Sequence, residues 1–408
     1  MPAVALIGTL DTKGEEYAFV KRIIEGDGCT TVVIDTGISP ASGCTADIGA
    51  DKVAAAGGVE IESLRSDNDR GRAMEVMARG AAETVRALYR EGKISAVLAL
   101  GGSGGTSIAT AAMRALPVGV PKLMVSTVAA GDVASYVGTS DIMMLYPVID
   151  IAGLNIISKR VLSNAAVAVA AMAKAAAKAG RVKATRPVVA ITMFGVTTPA
   201  VTVARTWLEG AGYEVLVFSA NGAGGRAMEG LIRDGFIKGV LDLTTTELAD
   251  ELAGGILSAG PDRLDAAGAL GLPQVVSLGA LDMVNFGAIG TVPEKFHKRQ
   301  FYRHNPHVTL MRTSPRECSE LGALLARKLN RAKGPVTMFV PLRGTSSISI
   351  EGGVFHDAEA DRALFAGLKD NLDPAIACVT SDAAINDKDF ALAMAQELHA
   401  LMTKDAKK

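Results

Sequence analysis

Aromatic residues and cysteine are scarce in this chain. Aromatic residues make up 4% of the 408 positions, and there are four cysteines. They lie far apart and form no C-x-x-C pair, which argues against a disulfide framework and a zinc ribbon; they are Cys29, Cys44, Cys318 and Cys378. Scattered cysteines of this kind are typical of a reducing compartment, so we expect a cytoplasmic protein.

No sign of charge dominates either. The 42 Lys and Arg residues balance 43 Asp and Glu residues, for a formal net charge of -1. Without a basic excess, the chain has no global attraction for nucleic acid or for an anionic membrane. These two partner classes are therefore not expected, and a small-molecule ligand is favoured.

The chain also lacks a long apolar run. The uncharged residues 161–173 are too few to span a bilayer and have basic residues on both sides, so they predict a buried helix. Residues 1–10 are apolar but have no basic leader, and acidic residues follow at once. They predict a first strand and not a signal peptide.

The chain is rich in apolar residues, which make up 49% of it, and in glycine, of which it has 44. Strand-like runs, among them residues 188–193 and 307–311, alternate with helix-like segments, which predicts parallel sheets covered by helices. The basic, glycine-containing residues 179–186 precede a fresh strand-like run, after which the pattern restarts. We predict an α/β fold of two Rossmann-like domains, 1–184 and 185–408, each a mostly parallel sheet covered by helices.

A glycine cluster separates a predicted strand, ending at Leu100, from a helical pattern over residues 108–116. Missing Cβ atoms let an anion approach the backbone, and the first amides of a helix point at such an anion. The cluster is neither the G-x-G-x-x-G fingerprint nor the lysine-containing phosphate loop. It predicts a phosphate or carboxylate site, the alternative being a tight turn that only needs positive φ. The predicted contacts are Gly101, Gly102, Ser103, Gly104, Gly105 and Thr106.

The first predicted strand is followed by Asp11, Thr12 and Lys13 in a loop, before a predicted helix over residues 17–25. Open α/β sheets bind ligands at this end of their strands. A lysine there can meet a phosphate, and an aspartate can hold a hydrated Mg²⁺. The alternative is a capped helix start, because Thr12 and Glu15 have capping-box spacing.

A later predicted strand, residues 122–126, also ends in small and hydroxyl residues with an aspartate nearby. Its end is predicted to join the same nucleotide site, through Ser126, Thr127, Gly131 and Asp132. Asp11 and Asp132 are the candidate ligands of a metal ion.

Two further features of the first half point to a ligand less directly. The polar loop over residues 36–49 is longer than a connection needs, and such loops often cover sites. Arg70 and Arg72 fall in the first turn of a predicted helix, where the helix dipole disfavours a cation. They indicate either an anion contact or an exposed charge.

In the second half, a basic and aromatic run over residues 295–307 holds three of the five histidines. Pro306 breaks any helix there, so these histidines need not share a helical face, which weakens the case for zinc. His304 could move a proton, Arg343 could hold a carboxylate, and Ser346 lies in a loop that follows a predicted strand. We predict His304, Arg343 and Ser346 as catalytic residues, the alternative being an exposed basic strip that contacts another subunit.

The order of these motifs resembles that of the two-domain ATP-binding family of the tomato mosaic virus resistance protein and its uncharacterised bacterial relatives. The resemblance spans nearly the whole chain and is carried by residues 9–16, 101–107, 124–127, 131–132, 140–144, 150, 155, 194–199, 304–306 and 343–344. It implies an N-terminal domain that binds ATP with Mg²⁺, a second Rossmann-like domain and a homodimer. It supports the loops at residues 11–13, 101–106 and 127–132 as nucleotide contacts.

We therefore expect an ATP- and Mg²⁺-binding protein that is an ATP-dependent enzyme for a small anionic metabolite. The alternative is a nucleotide-regulated dimeric binding protein without turnover. A sugar or acid kinase fits the glycine cluster, but the sequence has no clear base aimed at a hydroxyl group.

Overall fold

The computed structural model describes residues 1–67, 69–179 and 185–405. It divides into two compact units, Met1–Lys183 and Ala184–Lys408. Each unit has its own parallel sheet with helices on both faces, so the predicted fold class is confirmed. Most of the predicted linker, residues 180–184, lies outside the described residues.

The sheet of the first unit has the doubly wound strand order β2-β1-β3-β4-β5, with every pair parallel. The chain leaves β1 toward one side for β2 and returns to the other side for β3, so a topological switch point lies between β1 and β3. The elements are β1 Ala3–Gly8, α1 Leu10–Gly26, β2 Thr30–Asp35, α2 Ala50–Ala56, α3 Ile61–Asp67, α4 Arg70–Arg90, β3 Ala96–Gly101, α5 Ser103–Arg114, β4 Lys122–Ser126, α6 Ala134–Val137, β5 Met143–Leu145 and α7 Ile156–Ala179.

Two apolar layers hold this sheet. One face packs against α1 and α7, and the other packs against α2, α4 and α5. Within the described residues, α7 has the length and apolar composition of a membrane span. Its buried face, which includes Leu162, Ala166 and Val169, belongs to the core under the sheet, as in a core helix of an α/β unit.

The second unit contains a six-stranded parallel sheet of order β14-β13-β9-β8-β6-β7 and a three-stranded antiparallel sheet of order β10-β12-β11. Its strands are β6 Val188–Met193, β7 Glu214–Ser219, β8 Gly239–Thr244, β9 Gln274–Gly279, β10 Met283–Phe286, β11 Phe301–Asn305, β12 Val308–Arg312, β13 Val336–Pro341 and β14 Ala377–Ser381. Its α-helices are α8 Thr198–Gly210, α9 Ala223–Arg233, α10 Glu247–Ala253, α11 Ala266–Ala269, α12 Pro315–Leu329, α13 Ala358–Lys369 and α14 Lys388–Asp405. Short 3₁₀ turns lie at Gly195–Thr197, Ile289–Thr291 and Glu294–Phe296.

One strand assignment in this unit was wrong. The run over residues 307–311 was expected in the parallel sheet, but it forms β12 of the antiparallel sheet. The reason is the short connection through Pro306 and His307, which joins β11 directly to β12. Two residues can close an antiparallel hairpin but cannot carry the chain back to a parallel neighbour.

Helices α12 and α13 approach each other closely because each has a glycine at the contact. A Cβ on Gly322 would lie 2.3 Å from the carbonyl oxygen of Leu364, and one on Gly367 would lie 2.3 Å from that of Ser319. Backbone atoms cannot move aside without shifting a helix. This pair therefore requires glycine for packing and not for backbone conformation.

We expect Gly322→Ala to lower the free energy of unfolding by about 1–3 kcal/mol, because the added methyl overpacks the contact. Gly230→Ala is the matched control in α9, where a Cβ meets nothing within 4 Å. It should be neutral or stabilise by up to about 1 kcal/mol, since alanine is the better helix former. Urea unfolding followed by circular dichroism measures both. Equal stability of the two variants would contradict this account of the contact.

Candidate functional site

A cavity of about 500 Å³ lies at the carboxyl end of the sheet in the first unit. Residues that follow β1 (Thr9, Asp11, Thr12 and Lys13) form one wall, and residues 36–38 after β2 and 102–105 after β3 form others. The remaining wall is one face of α4. The cavity thus lies at the β1–β3 switch point, where open parallel sheets bind ligands, and its volume suits a small molecule.

The hydroxyl of Tyr17 joins the two strands whose following residues line this cavity, although Tyr17 itself does not line it. Buried under the sheet, the hydroxyl donates to the carbonyl of Ile7 and accepts from the amide of Leu100 at 2.8 Å. It thereby joins β1 and β3 one residue before each strand ends. A Cβ at position 8 would lie 2.0 Å from this hydroxyl, which is why Gly8 follows Ile7. Burial raises the pKa of Tyr17, so the hydroxyl keeps its proton as a donor.

Helix α5 begins inside the glycine cluster, at Ser103, and not at Ile108 as the helical pattern suggested. The earlier start places Ser103, Gly104 and Gly105 in the first helical turn. Their amides have no hydrogen-bond acceptor within the described part of the chain, as expected of the first turn of a helix. All three residues line the cavity, so these donors are available to a ligand there.

The alternative interpretation of the cluster, a turn that needs positive φ, does not agree with the structure. None of its glycines has a positive φ. A Cβ on Gly101 would lie 3.1 Å from the Cα of Gly105, a packing reason for glycine. At Gly102, Gly104 and Gly105 a Cβ would come no closer than 3.5 Å to an atom beyond the neighbouring residues and the backbone of the same helix, which is ordinary contact. The protein's own packing and backbone therefore do not require glycine at these three positions.

The Asp11–Lys13 stretch also differs from expectation. It was predicted as a loop, but α1 begins at Leu10, with a kink at Lys13 where φ is -133° and ψ is 22°. Thr9 occupies the N-cap position without a side-chain cap, so the predicted capping box of Thr12 is not formed. Thr12 instead shares a hydrogen bond with the Thr9 hydroxyl at 2.9 Å. The first turn of α1 faces the cavity, because Asp11, Thr12 and Lys13 line it.

The charged groups of this turn are only partly satisfied by the protein. The ammonium group of Lys13 donates to the carbonyl of Ile151. Asp11 Oδ2 accepts from the amide of Ser39 at 3.2 Å, whereas the buried Oδ1 has no partner among the described residues. A buried carboxylate oxygen without a donor is costly unless a cation or a donor from a ligand completes it.

Asp35, at the end of β2, holds two walls of the cavity together. Its Oδ1 accepts from the amide of Leu10 at 3.1 Å and from that of Gly37 at 2.8 Å. Burial raises the pKa of this carboxyl group, and the two amides oppose that shift. The contact fixes the start of α1 against the loop after β2.

The residues after β4 support the site from outside the cavity. Ser126 shares a buried hydrogen bond of 2.6 Å with Thr106, and the amide of Thr127 donates to the carbonyl of Gly101 at 3.2 Å. Gly131 and Asp132 are exposed, and Asp132 accepts from the amide of Ala134 at 2.9 Å. None of Thr106, Ser126, Thr127, Gly131 and Asp132 lines the cavity. The structure therefore does not place Asp132 in the cavity that Asp11 lines. The described residues contain no cluster of three His, Cys, Asp or Glu side chains for a metal.

Several parts of the cavity wall were not among the predicted nucleotide contacts: Thr9, residues 36–38, the face of α4, Ile108 and Asp150, with Arg70 left open as an anion contact or an exposed charge. The face of α4 contributes Arg70, Ala73, Met74 and Met77. The long loop after β2 and the unfavourable position of Arg70 at a helix start were the available indications. The sequence alone does not give the strand order, which is needed to place the loop after β2 and Arg70 at the same cavity.

At the corresponding switch point of the second unit, between β6 and β8, the polar side chains bind one another. Arg263 is buried and pairs with Asp242, at 2.6 Å from its Nη2, and with Glu247. Glu247 Oε1 accepts from the amides of Gly222 and Gly225 at the start of α9, at 2.6 and 3.1 Å. The protein's own carboxylate thus fills the anion position of that helix.

The residues predicted as catalytic have different environments. Ser346 is 0% exposed and donates to Asp282 Oδ2 at 2.8 Å, so its hydroxyl is closed to a ligand. Burial raises the pKa of Asp282. His304, on the edge strand β11, and Arg343 are both exposed. No hydrogen bond joins any two of His304, Arg343 and Ser346 within the described ranges.

Comparison with known proteins assigns the chain to a family. The N-terminal and C-terminal domain models of the Uncharacterised protein family UPF0261 match residues 2–178 and 186–402. The chain belongs to the UPF0261 family. A UPF0261 protein of Clostridium tetani is 54% identical over 98% of this chain and 99% of that protein.

The chain is also similar to a plant protein. The ToMV resistance protein Tm-1(GCR237) of Solanum lycopersicum is 38% identical to this UPF0261 chain, over 96% of the chain and 55% of the tomato protein. Among solved structures, UDP-GlcNAc 2-epimerase from Neisseria meningitidis is similar over 68% of this chain and 82% of its own, at 11% identity and a TM-score of 0.26. That score is too low to support an inference about function.

We expect Tyr17→Phe to lower the free energy of unfolding of this UPF0261 protein by about 1–3 kcal/mol, because the buried amide of Leu100 and carbonyl of Ile7 lose their partner. Tyr146→Phe is the control, because Tyr146 is exposed and its hydroxyl has no partner in the described part of the chain. Urea unfolding measures the difference. If both variants match the wild type, the hydroxyl does not hold the strands at the switch point.

Proposed function

We propose that the first unit binds ATP, together with Mg²⁺, in the cavity at the β1–β3 switch point. The observation that carries the proposal is that residues 102, 104 and 105 are glycines. Neither the packing nor the backbone conformation of the protein requires glycine at these three positions. Each of these glycines lines the cavity. A bare helix start is what a phosphate needs to reach backbone amides closely.

The electrostatics of the cavity also favour phosphates. The unpaired amides of residues 103–105 carry the positive end of the dipole of α5, a helix of 12 residues. The first turn of α1 lines the same space, so two helix N-termini meet at one cavity. Because the sheet and its helices fix these donors, little ordering is required when an anion binds.

The Asp11 carboxylate fits a magnesium ion bound with the nucleotide. Its buried Oδ1 has no partner among the described residues, and Asp11 lines the cavity. Mg²⁺ in nucleotide sites commonly takes one or two carboxylates, with waters and phosphate oxygens as its other ligands. When bound, the ion would neutralise phosphate charge. Asp132, the other predicted ligand, already accepts a backbone amide outside the cavity.

The proposal has two versions, which differ in whether the nucleotide is consumed. In the first, the protein is a cytoplasmic ATP-dependent enzyme acting on a small anionic metabolite. In the second, it is a homodimeric binding protein that ATP regulates without turnover. Incubation with ATP, Mg²⁺ and a metabolite extract separates them, because only an enzyme converts ATP or a metabolite.

We expect Gly104→Val to lower the affinity for ATP with Mg²⁺ at least about tenfold, because a branched side chain would fill the space next to the free amides. Gly26→Val is the matched control, since a Cβ on Gly26 meets nothing within 4 Å and the residue does not line the cavity. Isothermal titration calorimetry gives both affinities. If Gly104→Val binds ATP with the affinity of the wild type, the glycine cluster is only a structural connection between β3 and α5.

We expect Asp11→Asn to remove most of the gain in ATP affinity that Mg²⁺ provides, because the amide oxygen is a weaker ligand than the carboxylate. Affinity for metal-free ATP should persist. Asp132→Asn is the control and should keep the Mg²⁺ dependence. Titrations with magnesium and with a chelator measure the gain; a loss confined to Asp132→Asn would assign the metal to the other aspartate.

A further inference from the structure

We infer that Arg70 contacts the phosphates of the bound nucleotide and makes affinity depend on their number, so that the site selects polyphosphates over a monophosphate. This inference rests on the proposed nucleotide site. It concerns a residue whose sequence position alone left two interpretations open, an anion contact or an exposed charge.

Arg70 lies beside the amides proposed to bind phosphate. It is the first residue of α4 and lines the cavity. A Cβ built on Gly104 would lie 3.5 Å from its Nη2, so the guanidinium runs along the first turn of α5. A phosphate held by the amides of that turn is therefore within the neighbourhood of the guanidinium.

The guanidinium of Arg70 has no partner among the residues that the structure describes, since it makes no hydrogen bond and no ion pair with any of them. Arg72, two positions further along the same helical turn, forms an ion pair with Asp67. The neighbouring Arg65 donates to the carbonyl of Ile38 and to Glu62, and Arg79 donates to the carbonyl of Gly57. Arg70 therefore differs from Arg65, Arg72 and Arg79, each of which has a partner in the protein.

Arg70 is exposed, so in the free protein its guanidinium is solvated and open to an anion. The N-terminus of α5 presents partial positive charge beside Arg70, whereas the carboxylate of Asp69 caps the N-terminus of α4 by accepting from the amide of Arg72. The carboxylates in the cavity do not compensate it directly, because neither Asp11 nor Asp150 bonds to Arg70. Asp150 accepts from the amide of Ile151 instead, and Lys13 donates to the carbonyl of that same residue. A phosphate would supply the missing negative charge.

The geometry of the arginine side chain suits a phosphate better than that of a lysine would. A guanidinium presents its donors in a planar fork that matches two oxygens of a phosphate, whereas a lysine offers a point charge. Each added phosphate brings more negative charge and more acceptor oxygens near the fork. Removal of Arg70 should therefore weaken ATP more than AMP.

The test compares wild type, Arg70→Ala, Arg70→Lys and Arg72→Ala by calorimetry with ATP, ADP and AMP, all with Mg²⁺. We expect Arg70→Ala to weaken ATP about tenfold or more and AMP much less, so that the ATP-to-AMP affinity ratio falls. Arg70→Lys should lie between, since it keeps the charge without the fork. Arg72→Ala should change each affinity by less than about twofold, because its charge is already paired with Asp67. Circular dichroism and the unfolding midpoint check that the variants keep their fold.

The outcomes distinguish this inference from the proposed function. If the wild type binds ATP and Arg70→Ala keeps the wild-type ratio, Arg70 does not contact the phosphates, although the nucleotide site stands. If Arg72→Ala loses as much as Arg70→Ala, the effect is diffuse charge and the inference falls. If the wild type binds none of the nucleotides, the proposed function and this inference both fail.

Discussion

The first unit depends on one buried hydroxyl, that of Tyr17, at the point where its sheet changes direction. The hydroxyl joins the carbonyl of Ile7 to the amide of Leu100 just before β1 and β3 end. It requires a glycine at position 8, and it comes from α1, which packs beneath the sheet. This contact fixes the ends of β1 and β3 relative to each other. The glycine cluster and the first turn of α1 then border a single cavity.

The two units satisfy the polar groups at their strand ends in opposite ways. In the second unit, Arg263, Asp242 and Glu247 neutralise one another, and Glu247 takes up the amides at the start of α9. In the first unit, the amides at the start of α5, the guanidinium of Arg70 and one oxygen of Asp11 have no partner among the described residues. Unpaired groups of both charges in one cavity are a reason to assign ligand binding to the first unit.

Much of the fold could be predicted because strands buried in parallel sheets leave continuous apolar runs; the run over residues 188–193 is β6 itself. Helix starts were harder to predict. Ser103, Gly104 and Gly105 have low helix propensity, so their sequence alone does not predict a helical turn. These three residues form the first turn of α5, next to the hydrogen bond from the amide of Thr106 to the carbonyl of Gly102 after β3. The strand assigned to residues 307–311 was misplaced because periodicity does not report the direction of a neighbour.

The candidate site was predictable only where it follows a strand directly. Asp11, Lys13 and the glycine cluster come immediately after β1 and β3, so their position in the chain indicates their place at the sheet edge. Arg70 lies on a helix far along the chain and reaches the cavity only through the packing of α4 against α5. The burial of Ser346 depends likewise on tertiary packing, which places Asp282 beside its hydroxyl. Neither relation is encoded in local spacing.

The central claim is that bare backbone at the start of α5 binds the phosphates of a nucleotide. A crystal structure of the protein grown with a non-hydrolysable ATP analogue and Mg²⁺ tests it most directly. The account predicts phosphate oxygens within hydrogen-bond distance of the amides of Ser103, Gly104 and Gly105. Nucleotide bound elsewhere on the protein, with these three amides facing only solvent, would contradict it.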